Sequence, residues 1–89
     1  MSYLVETTRN GRPQIKSGHT IGENLDVVRG LYLTFIQNTS KEMERAYPGM
    51  VIQIPLKPTG TLLEGVRVMA TDGQGGHQGD VYTIELHSV

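Results

Sequence analysis

The residues best suited to chemistry are concentrated in Asp72-Gly73-Gln74-Gly75-Gly76-His77-Gln78-Gly79-Asp80. Glycine-rich loops bind phosphate by bringing backbone N–H groups close to the anion, usually where a strand runs into a helix. This segment lacks the Lys-Ser/Thr pair of a P-loop, and strand patterns flank it on both sides. It also sets two carboxylates, and no Lys or Arg, against any anion. Gly76 and Gly79 have the spacing of a backbone-clamping GxxG, but that device needs paired helices and basic neighbours. The favoured reading is a flexible hairpin tip, with Gly75, Gly76 and His77 ordering against a partner. The alternative function is a small regulator or inhibitor, for example phage-encoded, whose Gly-rich 71–80 loop binds a host protein or a nucleotide-like ligand.

Other constellations carry less. His19, His77 and His87 show no metal-ligand spacing, and Asp72, His77 and Asp80 would make at best a weak divalent-ion site. Asp and Gly are equally what a turn requires, so no metal and no cofactor are expected. Ser17, His19 and Asp26 can be drawn as a triad, yet no strained nucleophile turn surrounds the serine. Glu42 and Glu44 fall on different faces of a helix and read as solvated. No enzyme is expected.

Bulk properties narrow the classes further. The 89 residues contain no Cys, which excludes a disulfide framework, a thiolate metal site and a cysteine nucleophile. Eight Lys+Arg against nine Asp+Glu leave a net charge of −1, without the basic excess that draws a protein to nucleic acid or an anionic membrane. No apolar run approaches a membrane span, and no charged-then-apolar leader opens the sequence; cytoplasmic synthesis is expected. Basic residues gather early (Arg9, Arg12, Lys16) and acidic ones late (Asp72, Asp80, Glu85), an asymmetry suited to docking copies head to tail or to steering two different partners.

The elements that must position these residues follow from pattern. Tyr3–Thr8 and Pro13–Lys16 read as arms of a hairpin about Asn10-Gly11, a pair that tolerates positive φ at both positions. Thr20 and Glu23 have capping-box spacing. Apolar residues then recur at Ile21, Leu25, Val28, Tyr32, Phe35, Ile36, Met43, Ala46 and Tyr47, a helical stripe. Gly30 leaves open one long helix or two over residues 21–46. Pro48-Gly49 stops the helix. Met50, Ile52, Ile54 and Leu56 alternate with Val51, Gln53 and Pro55, predicting a half-buried strand. Leu62–Ala70 and Val81–His87 read as two more strands forming a C-terminal hairpin over residues 62–87. The predicted fold class is α+β: an N-terminal hairpin, a helical region, then three antiparallel strands, in one domain.

Two of these stretches resemble a LysM domain. Gln14-Ile15-Lys16-Ser17-Gly18-His19-Thr20-Ile21 is similar to that family's opening turn, and Tyr47-Pro48-Gly49-Met50-Val51-Ile52-Gln53-Ile54-Pro55 to its closing turn and strand. The intervening length suits two helices, and Asn38 stands about where an Asn often ends the second. His19 replaces the usual Asp, and no Pro follows the Asn. The resemblance covers residues 14–55. It implies a βααβ core and a shallow groove for N-acetylglucosamine-containing glycans, with Gly18, Thr20 and Ile21 on one side and Asn38 and Tyr47 on the other. LysM-like folds also serve as assembly parts in phage tails. The function expected from all this is a non-catalytic binding or assembly module within a larger complex, such as a phage virion or a cell-envelope complex. Its partner would be a protein or a second copy, with N-acetylglucosamine glycans as a further ligand.

Overall fold

The computed structural model describes residues 1–14 and 19–89, and the side chains of all of these except His19 and Thr20. The chain opens with strand β1 (Tyr3–Arg9) and turns at Asn10 (φ 53°) and Gly11 (φ 82°) into the two-residue β2 (Arg12–Pro13). Both turn residues are left-handed, the geometry for which Asn-Gly is selected in hairpins. Strand β3 (His19–Gly22) then pairs with the first half of β1, Leu4 opposite Ile21 and Glu6 opposite His19. Between them β2 and β3 occupy one edge of β1, while its other edge pairs antiparallel with β6 (His77–Ser88) along its whole length.

Helix α1 (Leu25–Ala46) runs unbroken through Gly30. Nothing lies within 4 Å of where a Cβ on Gly30 would stand, so the glycine costs backbone entropy but marks no break. Asn24 caps the helix: its Oδ1 accepts the N–H groups of Asp26 and Val27 at 3.0 and 3.3 Å. The expected cap at Thr20 is displaced because Thr20 is committed to β3, opposite Val5. At the far end Tyr47 donates its N–H to the Met43 carbonyl, and Gly49 (φ 73°) reverses the chain. Strands β4 (Val51–Pro55), β5 (Leu62–Thr71) and β6 complete the sheet, in the order β2-β1-β6-β5-β4 with β3 also on β1.

The expected architecture is therefore corrected. The sheet has six strands and one helix, and strands outweigh helix. The N-terminal strand is no peripheral hairpin arm; β1 is an interior strand, bonded on both sides. The overlooked partner is β6, nearly the whole chain away, which local pattern could not reveal. Where the LysM resemblance implies two helices between its turns, α1 is continuous, and β4 pairs with β5. Residues 15–18, which include the end of the expected second arm, lie outside the described residues.

All of α1 packs on one side of the sheet. Val5, Val66, Val68, Ala70, Ile84 and Leu86 point to it and meet Val28, Tyr32 and Met43 to form the core. Two extra residues in β6, between Gln78 (opposite Ala70) and Tyr82 (opposite Val68), make a bulge. Gly79 (φ 69°) sits in that bulge, where any Cβ would collide with the Tyr47 hydroxyl. The bulge also directs Asp80 at the β1–β2 turn. The Arg9 Nε and Nη2 each lie 2.8 Å from Asp80 Oδ2, and the Asn10 side-chain amide donates to Oδ1 at 2.9 Å. Part of the early-basic, late-acidic asymmetry is thus satisfied inside one chain, because β1 and β6 are neighbours.

Candidate functional site

The opposite side of the sheet has no layer over it among the described residues. Strand alternation places Leu4, Thr8 and Ile21 there, with Arg67, Met69, Thr83, Glu85 and His87 from β5 and β6. The hydroxyls of Thr8 and Thr83 meet across the strands. His87 Nε2 donates to Glu85 Oε1 at 2.8 Å, and the Thr61 hydroxyl meets the other ring nitrogen at 2.9 Å.

Strand β4 is the anomaly. An antiparallel sheet covered on one side ordinarily turns apolar residues in and polar residues out. The Thr71 N–H donates to the Met50 carbonyl and the Leu56 N–H to the Gly65 carbonyl, which fixes the register. In that register Gln53 turns toward the helix, where its Nε2 donates to Ser40 Oγ at 2.8 Å. Ile52 and Ile54 turn to the open face and are 37% and 38% exposed; Ile21, at the other side of that face, is 62% exposed. The alternation read from the sequence was correct, but the side it was expected to bury is the open one. The same register leaves the backbone groups of Val51 and Gln53 and the Pro55 carbonyl on the free edge. Pro55 has no N–H to offer there, a placement that suits proline at an edge.

A second feature lies on the helix side. Phe35, Asn38, Thr39 and Glu42 follow one another at steps of three, one and three residues and so share one face of α1. They stand across from Thr7 and Arg9 of β1, Tyr82 of β6 and Gln14, enclosing a cleft of about 380 Å³. The Gln14 N–H donates to the Thr7 carbonyl at 2.9 Å, which fixes that corner. Thr7 is 6% exposed, and its Oγ1 has no hydrogen-bond partner among the described residues. Sequence reading missed Thr7; a threonine alternating with Tyr3 and Val5 was the only available signal.

The residues expected to form a ligand groove are separated. Gly18 lies outside the described residues, and of Thr20 only the backbone pairing with Val5 is described. Ile21 is on the open face, whereas Asn38 lines the cleft on the helix side and Tyr47 ends the helix against Gly79. Gly75, Gly76 and His77 lie at the β5–β6 turn, which is shorter than expected because Thr71 already pairs with His77. Its polar groups are turned on one another. Asp72 Oδ1 accepts the N–H groups of Gln74 and Gly76 at 2.8 and 3.1 Å, and these bonds hold its carboxyl below the usual carboxylate range. Hydrogen bonds from Asn10 and Arg9 do the same for Asp80. Burial, with the Glu64 carboxylate nearby, pushes the Tyr32 phenol up, so it stays protonated. Among the described residues no group of three or more His, Asp or Glu side chains could hold a metal ion, and no helix is long and apolar enough to cross a membrane.

Comparison of the chain with protein-family models, curated proteins and solved structures finds no match.

Proposed function

We propose that this chain is a non-catalytic binding and assembly module that associates with further copies of itself through the open face of its sheet. The observation that carries the reading is that β4 turns Ile52 and Ile54 to the uncovered face, while Gln53, on the helix side, is itself exposed. Fully burying an isoleucine contributes roughly 1.5–3 kcal/mol, and a surface laid over this face would gain the part of that still exposed on Ile52 and Ile54. Charge supports a second copy as that surface. Glu6 and Glu85 stand opposite each other across β1 and β6, a repulsive pair, while Arg67 on the same face makes no ion pair among the described residues. In a two-fold pairing, the carboxylates of one copy can lie against Arg67 of the other.

Sedimentation velocity over rising concentration tests this. The native chain should associate, and the double variant Ile52→Lys/Ile54→Lys should be monomeric with a melting temperature close to the native monomer's. A native chain that stays monomeric throughout, or a double variant that associates equally well, refutes the proposal. Binding of N-acetylglucosamine oligomers that survives the double variant would move the assignment to the glycan reading.

A further inference from the structure

We infer that the cleft between α1 and the β1–β6 pair binds a small zwitterion bearing both an ammonium and a carboxylate, of which a free amino acid is the simplest. The starting observation is Thr7, whose hydroxyl is buried and unpartnered beside a cleft of about 380 Å³. Buried polar groups in folded proteins nearly always have a partner, and one left over beside a polar cavity points to something that enters it.

The cleft's charges define that molecule. Arg9 stands on the sheet wall and Glu42 on the helix wall, yet no ion pair joins them. Arg9 uses Nε and Nη2 on Asp80, which leaves Nη1 to donate to a carboxylate. Glu42 makes no ion pair among the described residues and can accept from an ammonium. Opposite charges on facing walls select a ligand that carries both. Arg9, Asp80 and Glu42 together sum to −1, which disfavours phosphates and dicarboxylates. Between the walls, Thr7 and Asn38 supply a hydroxyl and a carboxamide that can each donate or accept.

Calorimetry on the full chain decides the matter, with glycine, serine, glutamine and lysine as probes and ethanolamine, acetate and glucose as controls. At least one amino acid should bind with Kd of about 1 mM or tighter, and each control roughly tenfold or more weaker, since each control lacks at least one of the two charges. Glu42→Gln and Thr7→Val should each weaken that binding by about tenfold. Glu42 is exposed, so its variant reports on binding without disturbing the core. Three results overturn the inference: no heat from any amino acid, a control that binds as well as the amino acids, or undiminished binding in both variants. These outcomes are independent of self-association, because the cleft and the open face lie on opposite sides of the sheet.

Discussion

Replacing Thr7 by valine exchanges a hydroxyl for a methyl of nearly the same size at a buried position of β1. Thr7 is 6% exposed and its Oγ1 is unpartnered among the described residues, so the native chain carries the desolvation cost of a hydroxyl without a compensating bond. That cost is about 1–3 kcal/mol for a buried group. The methyl that replaces it adds some apolar contact, and valine suits a strand at least as well as threonine. One wall of the site is the cleft, so the lower end of the range applies, and Thr7→Val should stabilise the ligand-free chain by about 1 kcal/mol. For a domain of this size that raises Tm by roughly 4–8 °C. Urea unfolding with an unchanged m value measures it directly. Thr7→Ser is the control, since it keeps the hydroxyl and removes the methyl; it should lose about 1 kcal/mol. Most substitutions in a protein interior destabilise, so the sign alone is discriminating. A loss of 1 kcal/mol or more in Thr7→Val would show that the hydroxyl is partnered, and the reasoning from it would fail.

The remaining predictions concern positions fixed by geometry. Gly79→Ala should cost about 1–3 kcal/mol, because it combines a left-handed φ with a clash against the Tyr47 hydroxyl, and Tyr47→Phe in the same chain should recover the steric part in urea unfolding. Asn24→Ala should lose about 1 kcal/mol by removing the acceptor for two helical N–H groups, read as a fall in the urea midpoint. Asp72 and Asp80 have folded pKa values below their unfolded ones, so the stability they contribute is present above about pH 4 and is lost as pH falls through the lower folded values. Melting temperature should accordingly drop in that acid range, and Asp80→Asn should flatten the drop.

Local chemistry was the legible part of this sequence. Asn10-Gly11 is a left-handed turn and Pro48-Gly49 follows the end of the helix, because each depends only on near neighbours. The helix began later than expected because Thr20 could serve as a cap or as a strand residue, and the pairing with Val5 decided between them. The burial of β4 was misread for a similar reason: alternation identifies two faces but cannot say which one a helix will cover. The β6 strand was legible from Val81 onward, but Gly79 and Asp80 read as loop because a bulge accommodates both within the strand. Thr7 was invisible as a site residue, since nothing in Glu6-Thr7-Thr8 indicates that the Asn38 region of α1 lies across from it.

The pairing of β1 with β6 governs how the molecule can come into being. Tyr3 finds Ser88 and Arg9 finds Tyr82, so the ladder that joins the two halves of the sheet closes nearly the longest loop this chain allows. Contacts so distant in sequence carry their entropic cost before they return any stability, and such topologies fold in about milliseconds to seconds rather than microseconds. During synthesis β1 can pair with β2 and β3, and β4 with β5, while the strand between them is still inside the ribosome. Until β6 is available, β1 and β5 each lack the partner on one edge, so the sheet cannot be completed before it. The last strand to emerge is the one that joins them.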